Sequence, residues 1–209
     1  MSDIFWQSLR LFILFGKNTV GCINSPYITY RKLAKEGTPI PQTVFIFLFC
    51  LLYFLWATTI RIGLRNPFFL TIKFNLLVLG ALLGFFLVIF LIMLLGKVFG
   101  GMGNTHRVFI LWSYSLLPTL FWFFTTSILY ILLPPPRTLS YLGKIYSLVF
   151  IAFSLSIFFW KMILYYLTLR FGLHFDLSKI GVATGIITPI ILGYSLWMYR
   201  LGIFRVPFI

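Results

Sequence analysis

Carboxylates are almost missing from this chain of 209 residues: Asp3, Glu36 and Asp176 are the whole complement. Paired-carboxylate hydrolysis and two-metal phosphoryl transfer each need at least two acids at one site, and no two of these are sequence neighbours. Histidine is equally scarce, at His106 and His174. With Asp176 these could supply three metal ligands, but their spacing matches no metal-site pattern, and ordinary surface loops account for them. Cysteine is limited to Cys22, in the polar N-terminal region, and Cys50, inside an apolar run, so both are expected as free thiols. Neither G-x-x-x-x-G-K-[ST] nor G-x-G-x-x-G occurs in the glycine-rich stretch 96–103, which argues against a phosphate loop. The expectation is a protein that is not an enzyme, with no cofactor and no metal.

What the chain has in abundance is grease. Hydrophobic residues make up 61% and charged residues 10%, with a mean hydropathy of +1.03. A soluble domain of this length has too little interior to hide so much apolar surface, so the lipid bilayer must be the solvent for most of it. The formal charge of +14 does not imply nucleic acid. Its cations sit mainly in the short segments between apolar runs, where Lys and Arg anchor spans at headgroup level.

Five segments are long enough to cross a hydrocarbon core of ~30 Å at ~1.5 Å per residue: 43–60, 74–95, 108–133, 145–169 and 180–199. They form a transmembrane unit over 43–199, followed by a short tail, 200–209. The fifth span reads as the least apolar, and Pro189 is expected to kink it. The fold class is therefore all-α: a polytopic bundle of five transmembrane helices.

Residues 1–42 precede this unit as amphipathic cytosolic or interfacial helices. In 3–17, Phe5, Trp6, Leu9, Phe12 and Ile13 share a face opposite Asp3, Gln7, Arg10 and Lys17. That segment is too short to span; it lies in the headgroup layer or packs under the bundle. It shows no cleaved-signal pattern. In 25–37, Ser25 and Pro26 mark a helix start and Gly37 a stop before Pro39 and Pro41. Arg31, Lys32 and Lys35 make this helix basic, suited to anionic lipid or a partner, or simply solvated. With the N-terminus in the cytoplasm, nine flanking cations face inside and seven outside, which favours that orientation.

Inside the spans, Gly80 and Gly84, and likewise Gly181 and Gly185, stand four apart on one helical face. Such pairs let backbones approach where lipid supplies no hydrophobic drive, either within the bundle or in a homo-oligomer. Hydroxyls cluster around Pro118 and either cap carbonyls that it frees or line a polar path. Lys161 is the one cation well within an apolar run. It snorkels towards Arg170, or it contacts a lipid headgroup or partner.

The stretch "LLGKVFGGMGNTHRVFILWSYSLLPTLF" joins the second and third spans. Its glycines suit a tight hinge, and Lys97 and Arg107 set the depth of the two helix ends. Gly100, Gly101 and Gly103, followed by Tyr114-Ser115-Leu116-Leu117-Pro118, with Trp160 in the fourth span and "SPYITYRKLA" near the N-terminus, resemble the Yip family, the Rab-interacting integral membrane proteins. The resemblance covers about residues 20 to 200. It implies a five-span bundle with a cytosolic N-terminus, in the cell inner (plasma) membrane. Eukaryotic members bind Rab GTPases through cytosolic segments. This chain lacks their long polar, proline-rich N-terminal extension and looks like a bacterial relative, some of which act beside ABC-type exporters. The expected role is a scaffold or accessory subunit of a membrane complex. The alternative is transport of a small solute or lipid along a polar path near Pro118 and Lys161.

Overall fold

The computed structural model describes residues 2–35, 41–62, 67–101, 103–132 and 141–204. Glu36, Gly37 and Pro39, and three of the seven cations counted on the outer side, Arg65, Arg137 and Arg205, lie outside them. The described residues form eight helices: α1 (Ser2–Asn24), α2 (Pro26–Lys35), α3 (Pro41–Ile62), α4 (Pro67–Val98), α5 (Thr105–Tyr114), α6 (Leu117–Leu132), α7 (Tyr141–Leu173) and α8 (Leu177–Arg200). No strand is assigned among them.

Five helical segments are long and apolar enough to cross a membrane: α3, α4, α5 with α6, α7 and α8. Most run past the expected bounds, α4 by seven residues at its start. Apolar periodicity marks the part in contact with hydrocarbon, whereas helical hydrogen bonding continues until a capping residue stops it. The 33 residues of α7 rise ~50 Å, more than a ~30 Å core needs, so its ends reach the headgroups or the helix tilts.

The third span departs most from expectation. It is two helices, broken at Ser115–Leu116. Pro118 stands in the first turn of α6, where its missing N–H would have no intrahelical partner in any case. Ser115 Oγ donates to the Trp112 carbonyl at 2.7 Å and Ser113 Oγ to the Phe109 carbonyl at 2.8 Å, so hydroxyls occupy carbonyls around the break. The most apolar stretch of this span, and not that of the fifth, is the least apolar of the five, because Trp112, Ser113, Tyr114, Ser115, Pro118 and Thr119 interrupt it. The fifth, α8, stays helical through Pro189.

Two apolar cores flank α5. Val108 and Trp112 pack with α4, α7 and α8, while Ile110, Leu111 and Tyr114 pack with α1, α2, α3 and α7. α1 is longer than expected, helical through Asn24, because its last two turns are held by protein contacts. Phe15, Asn18 and Cys22 face inward, and the Phe15 ring lies 5.6 Å from Phe45 and 6.3 Å from Tyr114. Trp6, Leu9, Phe12 and Ile13 remain exposed on the other side. α1 and α2 cross so closely at Gly21 that an added Cβ would meet Thr29 Oγ1 at 2.5 Å.

The glycine stretch ends α4 in a Schellman turn. Gly100 has φ +68°, its N–H donates to the Lys97 carbonyl at 3.4 Å, and the Gly101 N–H donates to the Gly96 carbonyl at 2.7 Å. Gly202 (φ +69°) closes α8 with the same pattern. Lys179 Nζ donates to the Phe99 carbonyl, 2.9 Å away, adding a cation to the C-terminal end of α4.

Candidate functional site

Two features stand out in the bundle: a lock of polar groups between the N-terminal helices and the spans, and a cavity beside it. The lock centres on Gln42, in the first turn of α3 and 2% exposed. Its Oε1 accepts from Asn18 Nδ2 and from the Tyr114 hydroxyl, each at 2.8 Å. Nearby, the Tyr30 hydroxyl donates to the Leu111 carbonyl at 3.2 Å, a carbonyl that also accepts the Ser115 N–H at 3.2 Å beside the helix break. Trp160 Nε1 donates to the Cys22 carbonyl at 2.9 Å. α1, α2, α3, α5 and α7 are thus joined by side chains far apart in the chain. Burial raises the Cys22 thiol from 9.0 to about 12 and holds the Tyr30 phenol well above its ordinary value, so both stay protonated, Tyr30 as a donor.

The lock turns the other face of α2 outward. Thr29, Tyr30, Leu33 and Ala34 are buried, while Arg31, Lys32 and Lys35 are exposed. The basic residues therefore form a ridge on a helix whose orientation is fixed.

At the hinge, Gly101 and Gly103 lie against the end of α7. A Cβ on Gly101 would come within 3.0 Å of the Leu173 carbonyl oxygen and 2.7 Å of Phe175, and one on Gly103 would collide with the Leu173 side chain. Close backbone approach is what glycine supplies here. His174, held at φ +57°, lies with its Nε2 2.9 Å from an Arg107 guanidinium nitrogen, so Arg107 donates to it across the same junction. Among the described residues no three His, Cys, Asp or Glu side chains gather as a metal site.

The two glycine pairs behave differently. Gly80 and Gly84 receive α8: the Tyr194 hydroxyl donates to the Gly80 carbonyl at 2.6 Å, and a Cβ on Gly84 would sit 2.9 Å from the Tyr194 ring. Gly181 and Gly185 have nothing within 4 Å of such a Cβ, so this pair packs against no described element.

The cavity, of about 920 Å³, lies between α3, α4, α6, α7 and α8. Most of its wall is apolar, and Lys161 lines it together with Trp112, Thr119, Tyr165 and Thr184. Composition signalled Lys161. It did not signal Asn18, Gln42, Tyr30 or Trp112, although Asn18 and Gln42 are amides bordering apolar runs, and a buried amide has to find partners.

A five-span, all-helical membrane protein with its amino-terminal helices bound into the bundle is the class defined by this geometry. The Yip1 domain family matches residues 20–199, and the chain belongs to that family. No curated protein and no solved structure matches it.

Proposed function

We propose that the protein is a non-enzymatic scaffold or accessory subunit of a membrane complex, in trafficking or beside an ABC-type exporter. In this reading it resides in the inner (plasma) membrane with its N-terminus cytoplasmic. One observation carries it: α2 is anchored through Tyr30 while Arg31, Lys32 and Lys35 point outward as a rigid basic ridge. A preordered cationic surface suits an acidic protein partner, because little conformational entropy is lost on docking. Pull-down from mild detergent with Arg31, Lys32 and Lys35 all changed to Glu should lose a partner that the unaltered chain retains. Recovery of the isolated chain alone, under conditions that preserve other membrane complexes, would refute the reading.

The cavity favours a second reading, transport of a small solute or lipid past Lys161 and the Pro118 break. Solute flux in reconstituted vesicles that Lys161→Ala abolishes would promote it over the first.

A further inference from the structure

Lys161 lines the cavity near the middle of α7, nine residues from Arg170 and seventeen from Lys144, or ~13 Å and ~25 Å along the axis. Its ammonium makes no hydrogen bond or ion pair with any described residue. A cation at this depth is costly unless something neutralises it. The chain itself holds no candidate, because Asp3, Glu36 and Asp176 all lie outside the five spans. A second copy fails for the same reason. Any counter-charge that Lys161 meets has to come from a different molecule.

The cavity indicates which kind. About 920 Å³ is near the top of the ~300–1,000 Å³ range of small-ligand sites. Its walls are largely apolar, from Phe47 and Phe54 on α3 to Leu87 and Val88 on α4. Two lining residues, Trp112 and Thr119, carry an indole N–H and a hydroxyl that are buried without a hydrogen-bond partner. Those two atoms have almost no accessible surface, so the group that a ligand in the cavity can meet is the Lys161 cation, which suits an anion. Because Lys161 sits so deep, that anion must be small and its tail unbranched enough to follow the cleft.

We propose that the cavity binds a single-chain acidic lipid, a long-chain carboxylate whose acid pairs with Lys161 and whose chain lies along the apolar wall. The inference is independent of the scaffold reading, since occupancy requires neither a protein partner nor flux.

Trp112 and Trp122 both line the cavity, so a brominated probe bound there quenches their fluorescence. Protein in neutral phosphatidylcholine vesicles would be titrated with a brominated long-chain fatty acid, its methyl ester and a brominated phosphatidylglycerol. The lipid-facing Trp56 and Trp197 supply a background common to all three probes. The expected result is saturable quenching by the acid, with the ester at least tenfold weaker. Lys161→Met should bring the acid down to the ester's level, and Lys161→Arg should keep most of the difference. Equal quenching by acid and ester in the unaltered protein would overturn the proposal, whether or not the Met variant folds. A Lys161-dependent component seen only with phosphatidylglycerol would overturn the single-chain assignment. No Lys161-dependent component with any probe would leave the counter-ion to a partner subunit and equally refute it.

Discussion

At the scale of single residues, the bundle depends on a few amides and phenols whose partners are remote in sequence. Gln42 accepts two hydrogen bonds from residues 24 and 72 positions away. Tyr114→Phe removes one of them and leaves the ring in place. Interhelical hydrogen bonds in membranes average about 0.6 kcal/mol and reach roughly 1.7. Thermal unfolding in mild detergent should therefore show a midpoint lower by a few degrees. Gln42→Leu should cost more, since it strands both donors. Cys22 gives a pH signature. Burial raises its thiol from 9.0 to about 12, so the fold favours the protonated form. Its contribution is complete below pH 9 and is lost as the pH rises towards 12. Against Cys22→Ala, the unaltered protein should lose relative stability over that window and show no relative change below it. None of these pairings could be read beforehand. Tyr114 was visible through its motif, but a hydrogen bond across 72 residues leaves no periodic trace.

At the scale of elements, the five apolar runs were legible because lipid imposes a length and a composition on each. Endings were not, because caps and close contacts decide them. The two kinds of glycine contact show the difference. Gly101→Ala places a methyl group against the Leu173 carbonyl oxygen, which is backbone and cannot step aside, and overpacking of this sort costs ~1–3 kcal/mol. Gly181→Ala meets open space and gains helix propensity, so stability should hold or rise by up to ~1 kcal/mol. Thermal-shift measurement of both variants tests the contrast. The sequence puts Gly101 in a turn and Gly181 in a span, but it does not say which one another element approaches. The break at Ser115–Leu116 was equally hidden. Pro118 announced a disturbance, but a proline is compatible with a kinked helix or with a fresh start, and the neighbouring contacts selected the second.

At the scale of the whole molecule, α4 and α7 fix which cations share an end. Lys97 and Lys179 meet where α4 stops and α8 begins, and α2 lies there too, with Tyr27 packed 5.2 Å from Phe171. Lys73 and Lys144 belong to the opposite ends of α4 and α7. Single cysteines replacing Lys32 and Lys179, in a chain lacking Cys22 and Cys50, should react with an impermeant maleimide from one side of the membrane. Those replacing Lys73 and Lys144 should react only from the other. Labelling of all four from one side would refute the five-span arrangement. The bundle's class was plain from hydropathy, whereas its cavity was not, because empty space is created by the crossing of helices and no residue encodes it alone.

The third span bears a further consequence. Some 61% of its most apolar window is enclosed by protein, against 6–28% for the others. Four of the five segments can be chosen by oil on their own merits, but α5 with α6 is admitted mainly in company. Because α7, its principal neighbour, follows it along the chain, the segment leaves the ribosome before that part of its shelter exists. Its final seating must wait for later synthesis, so truncation after residue 132 should strand it as a substrate for quality-control proteases.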